Sequence, residues 1–188
     1  MSLDGGVNLA GSLKLSGFLP GSSISLNTGV RFGLETGYAF KLADHFTVAL
    51  ELEIGILYNT LNQATASVGG VTASAAVSGD YCQVPILVNG IFNWEFASHW
   101  VAYAGAGAGY NLLILSNNNG NSNGGGGNGG PNTNIGTEGD FAWQVLGGIR
   151  YSTGRWDIGA GYKYLATQPS GFKTQSNNAI LASFTLHF

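Results

Sequence analysis

An all-β fold, an eight-stranded antiparallel up-and-down transmembrane β-barrel, is what this sequence predicts, and three observations predict it. The first is period-two alternation of oily and polar residues along nearly the whole chain, the mark of strands with two unlike faces. The second is a regular swing between short and long connections. The third is the closing run Ile180-Leu181-Ala182-Ser183-Phe184-Thr185-Leu186-His187-Phe188. It puts Ile180, Ala182, Phe184, Leu186 and Phe188 on one face and stops at an aromatic residue. In such a barrel the oily face meets lipid and the other face lines the interior.

Composition points the same way. Of 188 residues only 9% are charged, against about 25% in an average soluble domain. Glycine supplies 31 residues with no collagen period, and aromatics reach 12%. This mixture suits a β-protein whose outside is not in water. A net charge of −3 gives no basic footprint, so no nucleic-acid partner is expected. No run approaches the roughly 18 consecutive apolar residues of a membrane helix, a test that alternating barrel strands evade. Met1-Ser2-Leu3-Asp4 lacks the basic start and apolar run of a secretory leader, so a leader is expected to have been removed. Cys82 is the one cysteine, which excludes an intramolecular disulfide. Residues 1–188 read as one domain.

Eight strands are predicted, at 7–16, 23–40, 46–61, 81–96, 100–115, 140–152, 155–166 and 177–188. The first is short and carries Lys14 on its inward face. The second sets Ile24, Leu26, Val30, Phe32, Leu34, Tyr38 and Phe40 against Ser25, Asn27, Arg31 and Glu35. The third alternates most cleanly, with Phe46, Val48, Leu50, Leu52, Ile54, Ile56 and Tyr58 opposite Thr47, Glu51, Glu53 and Asn59. The fourth sets Val84, Ile86, Val88, Phe92 and Trp94 against Gln83, Asn89 and Asn93, with Cys82 on the lipid side. In the fifth, Ala102, Ala104, Ala106 and Ala108 face outward and Gly105, Gly107 and Gly109 inward. The sixth carries Arg150 inward. The seventh opposes Trp156, Ile158, Ala160, Tyr162 and Tyr164 to Asp157 and Lys163, and the eighth is the closing run.

Short connections fall at 41–45, 97–99 and 152–155, and long ones at 17–22, 61–80, 116–139 and 167–176. Outer-membrane barrels have short periplasmic turns and longer external loops, which places both termini in the periplasm. Segment 116–139 has almost no side chain to bury and reads as an external loop. Segment 61–80, rich in Ala, Val and Ser, has the composition to carry its strands beyond the bilayer. Aromatics gather at the two ends of the strands, Phe46, Trp94, Trp100 and Trp156 near the short turns, Tyr58, Tyr110, Phe141 and Trp143 near the long loops. Two interfacial girdles are the expected arrangement.

The stretches Val48-Ala49-Leu50-Glu51-Leu52-Glu53-Ile54-Gly55, Gln83-Val84-Pro85-Ile86-Leu87-Val88-Asn89, Tyr103-Ala104-Gly105-Ala106-Gly107-Ala108-Gly109 and Gly159-Ala160-Gly161-Tyr162-Lys163-Tyr164-Leu165 resemble the small outer-membrane β-barrel family that includes opacity porins and OmpA/OmpX-type barrels. The resemblance covers most of the chain after residue 24. It implies a Gram-negative outer membrane, lipid and lipopolysaccharide as surroundings, and Phe188 as the signal read by the barrel-assembly machinery. It implies little about activity, because members serve as adhesins, small pores or structural barrels.

The inward charges form the candidate site. Lys14, Arg31, Arg150 and Lys163 face Glu35, Glu51, Glu53 and Asp157, four of each sign. The interior of an eight-stranded barrel is just wide enough for side chains. Charges there must pair, since an isolated buried charge is costly. A polar network near mid-membrane is expected, acting as a plug or as an ion path. No catalytic, metal or cofactor site is expected: one Cys and three scattered His give no zinc spacing. Some barrels are lipid-modifying enzymes that use a His, but His45, His99 and His187 all map to the periplasmic end. The leading reading is a non-enzymatic anchor or adhesin-like surface protein acting through loops 61–80 and 116–139 on a ligand or protein partner outside the cell. A narrow pore is the first alternative and a lipid-modifying enzyme the second. The smooth stripe Ala102, Ala104, Ala106, Ala108 leaves a barrel–barrel contact, and hence a homo-oligomer, open.

Overall fold

The computed structural model describes residues 1–14, 22–68, 71–117, 134–168 and 174–188. Its elements are β1 (Ser2–Ala10), β2 (Leu13–Lys14), β3 (Ser23–Leu26), β4 (Gly29–Ala43), β5 (Phe46–Val68), β6 (Val71–Ala76), β7 (Gly79–Ala97), β8 (Trp100–Asn117), β9 (Asn134–Ser152), β10 (Trp156–Thr167) and β11 (Gln175–Leu186). Eight of them close a ring in the order β4-β1-β11-β10-β9-β8-β7-β5, with β5 pairing back onto β4. Every pairing is antiparallel. Closure removes the open edges that a sheet otherwise exposes.

The register follows from the alternation. On β5 the odd positions Ala49, Glu53, Gly55, Leu57 and Asn59 are buried, while Leu50, Leu52, Ile54 and Ile56 are exposed. The same alternation runs through the middle of the other ring strands, while β4 beyond Glu35 is exposed on both faces and Ala166 of β10 is buried. The outside is a continuous apolar belt on which Phe32 is 59% and Ile180 63% exposed. In water such a belt would be prohibitive, and in lipid it is the required surface. Rings stack along the short-turn rim, where the Phe46 and Trp94 centroids lie 6.4 Å apart and those of Trp156 and Phe184 6.5 Å. At the other rim the centroids of Trp143 and Tyr164 lie 5.5 Å apart. Two turns place residues in left-handed backbone, His99 (φ 68°) and Gly154 (φ 86°).

The structure corrects the predicted elements in three places. The first barrel strand starts at Ser2, not at residue 7, because its outward row Leu3, Gly5, Val7, Leu9 contains a glycine and hides the pattern. The predicted second strand is two elements, since a register shift at Ser25/Leu26 and the bond from Asn27 N to Thr60 O (2.9 Å) interrupt it. Lys14 is not in the barrel interior. β2 pairs only with β3, and since Leu13 turns inward, alternation sends Lys14 to the exposed side.

Segment 61–80 is built mostly of strand. β5 runs on to Val68 and forms a hairpin with β6, while β3 adds to the other side of β5. A small sheet β2-β3-β5-β6 therefore rises from the long-loop end of the barrel. In the predicted loop 116–139, β8 continues to Asn117 and β9 starts at Asn134, while 118–133 lie outside the described residues, as do 17–21 and 169–173 of the other two loops.

Candidate functional site

The lumen is filled in layers. The central layer is charged. Arg31 from β4 donates through Nη2 to Glu53 of β5 and to Gln144 Oε1 of β9 at 3.2 Å. Glu53 Oε2 accepts from Asn89 Nδ2 of β7 at 2.8 Å and from Gln144 Nε2 at 2.5 Å. Lys163 of β10 points its ammonium at three carboxylates, bonding Glu35, Asp4 Oδ2 at 2.6 Å and Glu53 Oε1 at 3.1 Å. Arg31, Glu53 and Gln144 are wholly buried. Arg31 and Glu53 thus have neutral hydrogen-bond partners as well as a counter-charge, which offsets part of the cost of burying them, while Arg31 Nε and Nη1 and Asp4 Oδ1 make no hydrogen bond among the described residues.

Toward the long loops the lumen turns apolar, with Leu57, Leu87, Ala142 and Leu165 fully buried against one another. Above them sits a layer of neutral amides and one phenol. Asn8 Nδ2 donates to Asn59 Oδ1 (2.7 Å), Asn177 Nδ2 to Gln83 Oε1 (2.9 Å), and the Tyr81 hydroxyl to Gln175. Leu13, Tyr81 and Leu113 cap the stack, with Ile24, Leu26 and Leu61 packed on them. A water-wide passage would expose these side chains, yet Leu57, Leu87, Gln83, Gln144 and Leu165 are all at 0%.

Toward the short turns the lumen opens. A cavity of about 550 Å³ lies there, lined among others by Glu35, Glu51, Asn93, Arg150, Asp157 and His187. Arg150 donates to Asn93, its Nε lies 3.4 Å from Asp157 Oδ2, and its guanidinium sits 5.4 Å from the Tyr103 ring centre. His187 Nε2 lies 3.0 Å from the same Asp157 oxygen.

Of the residues singled out in the sequence, Arg31, Glu35, Glu53 and Lys163 meet in one network, and Arg150 joins Asp157 in a second. Glu51 lines the cavity and makes no hydrogen bond or ion pair among the described residues. Lys14 belongs to neither group. Asp4, which sequence reasoning passed over, is 7% exposed and takes a central place. The predicted balance of four against four is therefore corrected: among the described residues the two networks and the cavity hold five carboxylates (Asp4, Glu35, Glu51, Glu53, Asp157) against three cations (Arg31, Arg150, Lys163), and Asp140 adds a carboxylate on the inward face toward the long loops. The neutral members Asn89 and Asn93 are on the inward face in the alternation, and Gln144 joins them from β9. Their role as the hydrogen-bonding frame of the charges was missed. The alanine stripe does face outward, with Gly90 opposite Ala106 and Gly147 opposite Ala104.

No protein-family model matches the sequence, and no curated protein sequence does. Solved structures do match in fold. Neisserial surface protein A (NspA) superposes with a TM-score of 0.62 at 16% identity, over 100% of this chain and 96% of that one. The outer membrane enzyme PagL superposes with a TM-score of 0.56 at 10% identity, over 97% of this chain and 98% of that one. The fold is that of the small eight-stranded outer-membrane barrels.

Proposed function

We propose that this protein is a non-enzymatic outer-membrane barrel that anchors in the bilayer by its apolar belt and presents its long-loop end to partners outside the cell. The observation that carries this reading is the contrast between its two parts. The lumen is closed by wholly buried layers, while the long-loop end carries a strand-built extension, β2-β3-β5-β6. Interaction surfaces sit by preference on segments held out from a rigid scaffold. Short turns on the periplasmic side and long connections outside are the usual orientation of such barrels and place both termini in the periplasm. The partner is a surface ligand or protein reached by the extension, with lipid and lipopolysaccharide around the belt. PagL is an enzyme on the same fold. Here the three histidines lie at the short-turn end, away from the extension, which supports the non-enzymatic reading.

Single-channel conductance in a planar bilayer tests the reading. Wild type, Arg31→Ala and Glu51→Ala are compared, each confirmed as folded by its heat-dependent gel shift. Silence in all three supports a closed anchor. A steady conductance that changes with either substitution overturns it in favour of a narrow pore.

A further inference from the structure

The cavity at the short-turn end has a chemistry that the anchor reading leaves unused. Its volume of about 550 Å³ falls within the range of small-molecule sites, roughly 300–1,000 Å³. It continues inward as a pocket of about 40 Å³ that reaches Asp4, Glu35 and Lys163. Its walls carry more negative than positive charge. Glu51 has no partner among the described residues. Asp157 is 3% exposed and lines the cavity, and its Oδ1 is bonded to nothing while Oδ2 serves both Arg150 and His187.

The protein itself displays how this lumen recognises a cation. One tier further in, Asp4, Glu35 and Glu53 bring carboxylate oxygens within 4.8 Å of one another, and the Lys163 ammonium sits on all three. That cluster is the one acidic group among the described residues tight enough to chelate a metal, and it is already occupied. The carboxylates of the outer cavity are spread around a larger space. Spread carboxylates suit an extended cation with separated N–H donors better than a compact ion that needs six or more oxygens at about 2.0–2.6 Å.

We propose that the cavity binds a small aliphatic amine, a primary amine or diamine, with Glu51 as its acceptor and the Asp157 carboxylate, engaged by Arg150 and His187, adding negative charge to the wall. The ammonium donates three hydrogen bonds, and its methylene stem lies along the apolar part of the wall. The site is at the opposite end from the proposed interaction surface, so either assignment can fail without the other.

The test is calorimetric titration of the folded barrel in detergent with 1,4-diaminobutane. Saturable binding is expected in wild type and in Glu95→Gln, whose carboxylate does not line the cavity. Glu51→Gln is expected to weaken binding at least tenfold. No saturation in wild type, or equal affinity in Glu51→Gln, overturns the proposal. So does displacement by magnesium chloride as effective as by a second amine, which would make the effect simple charge screening. Amide shift mapping on wild type keeps the test open if a variant does not fold. Shifts centred on Glu51 and Asp157 support the site, and shifts confined to other strands reject it.

Discussion

The ammonium of Lys163 lies 2.6 Å from Asp4 Oδ2, joining the seventh strand of the ring to the first across the barrel interior. The two residues are 159 positions apart in sequence. They are not neighbours in the sheet either, since β11 stands between their strands. The contact therefore reports closure of the ring. The same ammonium holds Glu35 of β4 and Glu53 of β5, so one side chain spans four strands.

Lys163→Met should accordingly be among the most damaging single changes in the lumen. It keeps the stem and removes the charge, leaving Asp4 and Glu35 buried without a cation. Removing one partner of a buried pair typically costs about 3–5 kcal/mol. The folded fraction across a urea series, read by the heat-dependent gel shift, measures the loss. A change near zero would mean that the carboxylates find other partners, and would reject Lys163 as the keystone. Asp4→Asn should cost less, because Lys163 keeps its other two carboxylates.

Arg31 and Glu53 should behave as a coupled pair. Both are wholly buried; Glu53→Gln leaves Arg31 without a counter-charge, and Arg31→Met leaves Glu53 with Lys163 as its one remaining cation. In the double variant Arg31→Met/Glu53→Gln neither charge is stranded. The double should lose less than the sum of the singles by roughly 0.5–3 kcal/mol, the range seen for contacting residues. Additive losses in the same urea series would mean that Gln144 and Lys163, and not the mutual contact, carry the two charges.

Much of this architecture is legible in the sequence, because a barrel strand must alternate and a one-residue slip would turn every oily side chain inward. β5 and β7 read unambiguously for that reason, and Arg31, Glu35, Glu53 and Lys163 fell on the inward face as soon as the strands were recognised. Asp4 did not, because the outward row of its strand includes Gly5 and the alternation is too weak there to fix a start. Lys14 misled because a two-residue strand outside the ring has no alternation to read. The extension of strand into segment 61–80 is legible from its Ala, Val and Ser content, but the bounds of β6 are not, since Val71-Thr72-Ala73-Ser74-Ala75-Ala76 has the composition of a strand and of a loop alike. Which charges meet is invisible in sequence, because contacts across the lumen depend on tilt and stagger around the whole ring.

Gly107 shows a constraint of another kind. A Cβ there would lie 1.9 Å from Asn89 Oδ1 and 2.9 Å from the Val88 carbonyl oxygen. Asn89 is no idle neighbour, since it donates to Glu53 at 2.8 Å and accepts from Gln144 at 2.8 Å. Gly107→Ala should push that amide away and loosen the frame around Glu53, at a cost of about 1–3 kcal/mol typical of overpacking. The urea midpoint in an Asn89→Ala background separates the mechanisms. If the clash with the amide is the cause, Gly107→Ala costs clearly less there than in wild type. An unchanged cost would place the strain on the Val88 backbone instead.

The β5–β6 hairpin should be separable from the barrel. The ring closes below it, where Thr60 pairs with Asp80, and the bond from Val77 N to Asn62 O (3.1 Å) holds the base of the hairpin. Replacing residues 64–75 by Asn-Gly leaves Gln63 and Ala76, already paired, on either side of a two-residue turn. The shortened chain loses the pairing of β3 with Ala64 and Thr65 but none of the charged layer. It should fold, keep its gel shift and remain in the outer membrane. Under the proposed function it should also lose attachment of expressing cells to whatever surface the intact protein binds. Failure to fold would make the extension a structural cap over Leu13 and Leu113. Normal folding with undiminished attachment would move the interaction surface away from this hairpin.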